Sequence, residues 1–477
     1  MCRDDLRVGI IGGGVAGASV ALYLSELGVK TTLFEKSKSL VNGPPICHLH
    51  AGGNLYRDIS DKQCLTLLKE SIELIRLYPQ AIDFRPTVIA VPKEDKGTPS
   101  DLFLRLEKLQ KEYSLLIEKD EGNRVLGNPR DYFRLFSYEE LIRLREKKSV
   151  LSPKSLEEWM IPIAQNVDLE KLQYPLVMVQ EYGINIFRLA STASLWLEDI
   201  SCASILTEAD VVGVVKKSKS FDVSYVKDEE KQTLEFDYLV NAAGFRSGTI
   251  DDMLGFKRER LVEFKAAYVT KCAAFNGAWP EVIFHGERGT PNGMAQFTPY
   301  PDGYFQLHGM TKEITLFNGG LVKSPKESAQ PKLGSIFLEK IEKGWSQDLV
   351  SARTFSAISH LAQYIPVFKN AKVMSKPLYG AQQIPGEDAT LRAADISFEG
   401  DRYARCEIVK ASSVLNMADA ITKNLIELGY LEKGVYKKRV FKSHTRVKEE
   451  DIEQLAQEFA IGRSYPKAIA SRSFSQI

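Results

Sequence analysis

A glycine-rich turn near the start of the chain constrains the fold more than any other part of the sequence. Residues 7–11 (RVGII) are a short apolar run typical of a buried parallel strand, and Gly12-Gly13-Gly14-Val15-Ala16-Gly17 follows directly. Residues 18–27 repeat apolar side chains at helical spacing, and a second strand at 30–34 (KTTLF) ends at Glu35. In this order, the pattern predicts a βαβ unit that binds a dinucleotide.

The residues of this motif have separate physical roles. Gly12 permits the tight turn, Gly14 lets the backbone approach a pyrophosphate, and Gly17 lets the helix pack closely on the strand. The phosphates are expected at the helix N-terminus, where free N–H groups and the helix dipole favour anions. Glu35 is placed to accept a hydrogen bond from a ribose hydroxyl. The predicted cofactor contacts in this unit are Gly12, Gly14, Val15, Ala16, Gly17, Glu35 and Lys36.

The sequence after Glu35 favours FAD over a nicotinamide cofactor. A nicotinamide dehydrogenase would continue with regular βα units, whereas residues 42–53 (NGPPICHLHAGG) are typical of an irregular loop rich in turn formers. No second G-x-G-x-x-G motif occurs, so a separate NAD(P)H domain is not indicated. We therefore expect FAD to be the cofactor.

Composition restricts the partners and the compartment. The chain has 477 residues, enough for two packed domains, and a formal net charge of +1, which gives no reason to expect nucleic acid as a partner. It has no apolar run long enough for a transmembrane helix and no secretory signal pattern at its start. The six cysteines show no C-x-x-C pair and no zinc-like spacing. This usage predicts reduced thiols in a cytoplasmic protein without a metal site.

In scattered blocks over residues 7–430, the chain resembles the D-amino-acid-oxidase-like (DAO) superfamily of flavoproteins. The segment GPPICHLHAGGNLY looks like the family's loop beneath the flavin, and L-2-hydroxyglutarate dehydrogenases show a similar His-Ala-Gly and Tyr, here His50-Ala51-Gly52 and Tyr56. Residues 236–244 (FDYLVNAAG) resemble the strand that ends in small residues beside the cofactor. The resemblance adds His50, Ala51, Gly52, Val212, Ala243 and Gly244 to the expected FAD contacts.

The resemblance also implies an architecture. It predicts a mixed α/β fold with a Rossmann-like FAD-binding domain of the GxGxxG flavoprotein type and a second, mostly antiparallel-sheet substrate domain. The FAD-binding domain is expected from residues 1–80, 166–246 and 356–432, and the substrate domain from residues 81–165 and 247–355. Residues 433–477 are expected as a C-terminal extension packed on the surface and solvated. The alternative is that its basic residues 437–439 contact anionic lipid as a peripheral membrane attachment.

The activity implied by the resemblance is hydride transfer from a small amine, amino acid or 2-hydroxy acid to flavin N5, with oxygen or quinone as acceptor. A hydroxy acid also needs a base for its hydroxyl proton, and histidine suits neutral pH. His50 lies in the expected flavin loop, and in some family members a comparable His attaches the FAD covalently. His308 is expected on a strand at 304–309, with Tyr304 and Gln306 on the same face. His50, His308 and Tyr304 are therefore candidate catalytic residues.

Two positions depart from the family pattern. Amino-acid-oxidising members often carry Gly-Leu-Arg-Pro where this chain has Gly380-Ala381-Gln382-Gln383, so Gln382 stands where a carboxylate-binding Arg is expected. We include Gln382 among the catalytic candidates and Gly380 among the FAD contacts. Lys410 lies where the family often has a Gly-rich turn, and it is expected to place positive charge at the flavin N1–C2=O edge. Other arginines that could bind a carboxylate are Arg57, Arg85, Arg246, Arg353 and Arg392.

Two other functions share the opening motif. A flavin-dependent monooxygenase would have a Gly-Asp motif before its last FAD helix, and the nearest candidates, Gly386-Glu387-Asp388 and Gly400-Asp401-Arg402, lack the usual context. A non-catalytic protein could also use FAD as a redox sensor. Substrate-dependent NADPH consumption would indicate the monooxygenase, and flavin that no substrate reduces would indicate the sensor.

Overall fold

The computed structural model describes residues 2–3, 6–43, 52–54, 59–275, 277–394, 396–435 and 447–472. Within these residues, no helix is long and apolar enough to cross a membrane. The helices are α1 (Val15–Glu26), α2 (Asp61–Leu77), α3 (Phe103–Lys119), α4 (Tyr138–Arg145), α5 (Leu156–Asn166), α6 (Ile186–Glu198), α7 (Ser247–Met253), α8 (Ser335–Lys343), α9 (Gln347–Ala362), α10 (Val414–Glu427) and α11 (Glu449–Gly462).

The strands fall into two main sheets and two small ones. They are β1 (Arg7–Ile11), β2 (Lys30–Phe34), β3 (Ile82–Asp83), β4 (Thr87–Pro92), β5 (Phe133–Phe136), β6 (Leu172–Val179), β7 (Gly183–Ile184), β8 (Ala203–Leu206), β9 (Asp210–Lys216), β10 (Phe221–Lys227), β11 (Glu230–Phe236), β12 (Tyr238–Asn241), β13 (Arg260–Lys271), β14 (Glu281–Phe284), β15 (Ala295–Pro299), β16 (Tyr304–Gly309), β17 (Leu321–Lys323), β18 (Lys372–Val373), β19 (Leu378–Pro385), β20 (Ser397–Phe398) and β21 (Tyr403–Arg405).

The first main sheet is parallel apart from one edge strand. Its order is β20-β21-β12-β1-β2-β8, and β1 pairs in parallel with both β2 and β12. The apolar runs of β1 and β12 are almost wholly buried, because α1, α6 and α10 pack with them in one apolar core. The βαβ unit predicted from the sequence is confirmed, with β1 and β2 at the expected residues.

The second main sheet is largely antiparallel. Its order is β17-β13-β16-β15-β14-β4-β6-β5, and β19 pairs with the long strand β13. One face carries aromatic and aliphatic residues that form a core with α5 and α9. The predicted fold class is therefore confirmed. The predicted domain limits remain a proposal, and β6 and β19, which they assign to the FAD-binding domain, lie in this sheet.

The C-terminal segment is packed into the molecule. Helix α11 lies along α6, and Ile452, Ala456 and Ala460 on it are fully buried. Arg188 on α6 is also fully buried and forms an ion pair with Glu453 at 2.9 Å. Residues 447–472 therefore pack on α6 through the buried face of α11, and the limits of the predicted C-terminal extension stay a prediction. The basic residues 437–439, proposed for lipid contact, lie outside the described residues.

A disulfide joins Cys2 to Cys202, 200 positions apart in sequence. The prediction of reduced thiols is wrong for this pair. Backbone hydrogen bonds explain the approach, since Arg3 N donates to Gly28 O and Thr31 N donates to Cys202 O, which holds both cysteines beside β2. The spacing of the cysteines in the sequence could not predict this disulfide, because the two residues meet only through their neighbours' hydrogen bonds beside β2. Cys64, Cys272 and Cys406 are buried free thiols.

Candidate active site

The glycine turn after β1 has the shape that a dinucleotide phosphate requires. Gly12 has φ 102°, and a Cβ there would lie 2.4 Å from the carbonyl oxygen of Ala242. A Cβ at Gly17 would lie 1.9 Å from the carbonyl oxygen of Gly12, so helix and strand approach as closely as predicted. A Cβ at Gly14 would meet no atom within 4 Å. The backbone at Gly14 is therefore open to a ligand.

No side chain among the described residues caps the first turn of α1. Gly14 is its N-cap residue and supplies no side-chain acceptor, and no acidic residue lies in the first turn, which contains Val15, Ala16 and Gly17. Free N–H groups at a helix N-terminus attract anions. Together with the open backbone at Gly14, this helix end fits the pyrophosphate of FAD.

Glu35, at the end of β2, faces the same turn. Its carboxylate accepts hydrogen bonds from Gly13 N at 2.9 Å and from Ser37 N at 2.8 Å, which fixes its position beside the glycine motif. The side chain of the next residue, Lys36, is exposed, and desolvation together with the charge of Arg246 lowers its pKa. The ribose role of this carboxylate stays a prediction.

The segment after β12 borders the glycine turn from the other side. Ala243 N donates to Asn241 Oδ1 at 3.2 Å, and Gly244 has φ 58° with open space where a Cβ would lie. Both features leave room for a ligand beside Gly12. Val212 is on β9, with its side chain 44% exposed.

Only a small part of the expected flavin loop is described. Gly52 has φ 110°, and a Cβ there would lie 2.5 Å from the carbonyl oxygen of Cys64. The next two amides, of Gly53 and Asn54, donate to the buried carboxylate of Glu181 at 2.6 and 3.1 Å. Glu181 was not found from the sequence, since an isolated Glu after an apolar strand gives no signal. His48, His50, Ala51, Tyr56 and Arg57 lie outside the described residues.

The second main sheet has polar residues on the face opposite its core. Gln306 and His308 alternate on β16 and are 0% and 8% exposed, and Thr298 on β15 lies opposite Gln306. The side-chain amide nitrogen of Gln306 and the hydroxyl of Thr298 have no hydrogen-bond partner among the described residues. Buried polar atoms of this kind usually have partners. This face is therefore suited to a polar ligand.

Tyr304 lies at the start of β16, near the C-terminal segment. It is partly buried and packs with Ala267 and Val269 of β13 and with Tyr465 in a small apolar cluster. The nitrogen of Lys271 lies 4.7 Å from the centre of its ring. Tyr304 therefore shares the strand of His308 but lies beside apolar side chains.

Gln382 lies on β19, opposite Glu263 of β13, and Gly380 lies opposite Lys265. The side-chain nitrogen of Gln382 donates to the carbonyl oxygen of Val409, and its oxygen lies 3.4 Å from Lys265 Nζ. Gln382 thus links β13 to the segment that carries Lys410. The sequence did not single out Glu263 and Lys265, because they alternate with apolar residues in the ordinary strand pattern.

Lys410 directly precedes the turn that leads into α10 and is partly buried. Burial, Arg392 and Lys265 lower its pKa well below the ordinary value for lysine. Lys410 therefore has cations as its charged neighbours.

The other candidate arginines are already engaged. Arg85 is buried between Asp83 at 3.0 Å and Glu281 at 3.4 Å. Arg246 pairs with Glu342 at 2.9 Å, and Arg353 donates to three backbone carbonyls and to the Tyr268 hydroxyl. Of the described candidates, Arg392 is the one beside Lys410.

A glycine turn that fits a pyrophosphate, on a parallel sheet joined to a larger antiparallel sheet, defines the class of dinucleotide-binding flavoproteins. Residues 7–140 match the family model described as DAO: FAD dependent oxidoreductase. This part of the chain is therefore similar to FAD-dependent oxidoreductases of the DAO family, and the cofactor is FAD. No curated protein matches the chain.

Solved structures show the same fold over most of the chain. L-proline dehydrogenase from P. horikoshii is 16% identical with a TM-score of 0.54, and the match covers 90% of this chain and 95% of that one. L-amino acid deaminase from Proteus vulgaris is 14% identical with a TM-score of 0.56, covering 89% and 94%. Iminodiacetate oxidase (IdaA) from Chelativorans sp. BNC1 is 12% identical with a TM-score of 0.54, covering 90% and 96%.

Proposed function

We propose that the protein oxidises a small amine, amino acid or 2-hydroxy acid at a carbon held against the polar face of the second sheet. The observation that carries this proposal is the buried pair Gln306 and Thr298, whose polar atoms lack partners among the described residues. FAD, when bound, accepts a hydride at N5. The names of the structural neighbours, which include an amino acid deaminase and an iminodiacetate oxidase, are consistent with this substrate class.

His308 has the chemistry required for a hydroxy-acid substrate. It is buried on the same strand face as Gln306, and a neutral imidazole can take the hydroxyl proton while the hydride leaves carbon. An amine substrate in its neutral form needs no such base. Gln306 and Thr298 would then orient the substrate by hydrogen bonds. His50 remains a second candidate for the base or for covalent attachment of FAD.

Lys410 is proposed to supply positive charge at the flavin N1–C2=O edge. A cation at this edge stabilises negative charge that develops on reduction. Lys410→Met is therefore expected to lower the reduction potential of the bound flavin, as measured by anaerobic dye equilibration. An unchanged potential would remove this role.

The acceptor is oxygen or a quinone, and the compartment is also a matter for experiment. A cytoplasmic location was expected from the sequence, but the Cys2–Cys202 disulfide is more typical of an oxidising compartment. Peripheral membrane association would suit a quinone acceptor. Fractionation of cells that express the tagged protein would separate these alternatives.

The test is an anaerobic absorbance screen of the purified holoprotein against amino acids, N-methyl amino acids and 2-hydroxy acids. Bleaching of the oxidised flavin band at about 450 nm by one class would support the proposal. The rate at which the oxidised flavin band returns in air, compared with its return on adding a soluble quinone, identifies the acceptor. Bound flavin that none of these classes bleaches would contradict the proposal.

A further inference from the structure

A group of charged residues at the junction of β13, β19 and the segment before α10 contains more cations than carboxylates. We call it the cationic cluster. Glu263 and Lys265 come from β13, Arg288 from the segment after β14, and Lys410 from the segment before α10. Arg392 lies beside them, within electrostatic range of Glu263 and Lys410.

Glu263 is the carboxylate of this cluster, and two cations share it. Lys265 Nζ lies 2.8 Å from one of its oxygens, and Arg288 forms an ion pair with the other. Burial alone would raise the pKa of Glu263, but Lys265 and Arg288 lower it, so the carboxylate is charged. Its charge is therefore already engaged twice.

Lys410 has no carboxylate of its own. Its nitrogen forms no hydrogen bond or ion pair with any part of the chain that the structure describes, and its charged neighbours are Arg392 and Lys265. Arg288 also has a buried nitrogen, NH1, without a hydrogen-bond partner in those same residues. Both groups have donors available for a ligand.

The charge count shows what such a ligand must supply. Leaving Arg392 aside, the three cations Lys265, Arg288 and Lys410 face the single carboxylate of Glu263, so the excess is 3 − 1 = 2 positive charges. The side chains of Lys265 and Arg288 are 16% and 31% exposed and Lys410 is partly buried, and charges withdrawn from water in this way are costly unless they are paired. The described residues around the cluster do not pair this excess, and a bound anion would.

The cluster lies on the face of the sheet that carries the proposed site. Alternate residues of a strand share a face, so Glu263 and Lys265 lie on the same face of β13 as Val269. Val269 pairs with Gln306, and Glu263 pairs with Gln382. A molecule held by the cluster would therefore share this face with Gln306 and His308.

We propose that the cationic cluster binds a small molecule with two negative charges, a dicarboxylate or a phosphate monoester, and that this molecule is the substrate. The second part rests on the proposed function, since it identifies the cluster's ligand with the molecule oxidised there. Gln382 is then a positioning residue: it holds Lys265 and the backbone of Val409, and so sets the distance between Lys265 and Lys410.

Binding of malonate, inorganic phosphate and acetate to the holoprotein tests this inference. Each anion is titrated while the absorbance spectrum of the oxidised flavin is followed, in wild type, Lys410→Met, Lys410→Arg and Lys265→Met. The matched control is Lys423→Met, because Lys423 is on α10, with its side chain 71% exposed. We expect malonate or phosphate to bind at least tenfold more tightly than acetate in the wild type and in the control. Both Met variants should weaken that binding by at least tenfold, and Lys410→Arg should restore part of it.

The outcomes separate the possible ligands. If malonate binds more tightly than phosphate, the ligand is a dicarboxylate. If phosphate binds more tightly than malonate, the ligand is a phosphate monoester. The inference fails if acetate binds as tightly as both dianions. It also fails if Lys410→Met changes only the flavin potential or the FAD content. If a dianion binds as expected but no dianionic acid bleaches the flavin, the cluster is an anion site and its identity as the substrate site is wrong.

Discussion

Two groups of buried charges lie along β13, and they are built differently. At its start, three arginines and three carboxylates form a balanced network, whose members are Arg258, Arg260, Arg405, Asp251, Glu399 and Glu407. A few residues further on, the cationic cluster has one carboxylate for three cations. In the balanced network, the chain itself supplies a carboxylate for every arginine. In the cationic cluster it does not, and we infer that a ligand supplies the missing negative charges.

The largest expected effect comes from breaking the balanced network. Asp251 is fully buried and pairs with Arg260 and Arg405, so Asp251→Asn leaves two buried guanidinium groups without their shared carboxylate. We expect the free energy of unfolding to fall by about 3–5 kcal/mol. Chemical denaturation of the holoprotein measures this. Glu399→Gln is the control, because Glu399 pairs with Arg405 but is 42% exposed, and its loss should cost about 1 kcal/mol or less. An equal loss of unfolding free energy in Asp251→Asn and Glu399→Gln would contradict the distinction between the buried and the exposed carboxylate.

The two groups should also respond to pH in opposite directions. Burial alone would raise the pKa of Glu407, but Arg258 and Arg260 lower it, so the stability it contributes is present above its unfolded pKa. That stability is lost as pH falls through the lower folded pKa. Denaturation midpoints measured in the acid range would show this loss.

The cationic cluster should instead lose function as pH rises. Lys410 has a lowered pKa, so it releases its proton below the ordinary range for lysine. The affinity for a dianion should then fall by up to about tenfold per pH unit through that range. The charged groups that face Lys410 are Glu263, Lys265, Arg288 and Arg392. Dianion affinity that stays constant to the ordinary lysine range would show that Lys410 does not contribute.

Arg463 offers a third arrangement, a partly buried cation whose two terminal nitrogens donate to neutral acceptors. It donates to Val41 O at 2.9 Å, Ser39 Oγ at 3.0 Å and Leu40 O at 2.8 Å, and Val41 N in turn donates to Gly13 O. Arg463→Ala should loosen this loop and weaken FAD binding by about threefold to tenfold, which corresponds to a fraction of the free energy of the hydrogen bonds lost. FAD fluorescence titration of the apoprotein measures it, with the exposed Lys467→Ala as control. Unchanged FAD affinity would limit Arg463 to a packing role.

The smallest expected effect is on stability when Lys410 is replaced. A lysine whose folded pKa is below its unfolded pKa carries a penalty in its charged form, which is present at neutral pH and disappears as pH rises through the unfolded value. Lys410→Met removes that penalty, so stability should be unchanged or rise by about 1 kcal/mol. A large loss in the denaturation midpoint would show that Lys410 is structural, like Asp251.

The local pattern was enough to predict the FAD-binding unit. The strand, glycine turn and Glu35 are consecutive in sequence, and each follows a backbone rule that has few alternatives. The polar alternation of Gln306 and His308 was also visible in the sequence, since every second residue of a strand lies on the same face of the sheet. The fold class of the whole chain, by contrast, followed from the resemblance to the DAO superfamily.

The cationic cluster could not be predicted, because its members lie on three separate segments. Lys265 and Arg288 resemble surface residues in sequence, and their meeting depends on the pairing of β13 with β19 and on the path after β14. The Cys2–Cys202 disulfide was missed for the same reason, since the two cysteines are far apart in sequence and meet beside β2.

The most direct test of this account is a crystal structure of the FAD-bound protein with malonate. We predict malonate with one carboxylate at Lys410 and the other at Lys265 or Arg288, on the sheet face that carries Gln306 and His308. Contact of Lys410 with the flavin N1–C2=O edge is expected beside malonate. A structure in which atoms of FAD also pair with Lys265 and leave no room for the dianion would contradict the account, because the whole cluster would then be part of the cofactor site.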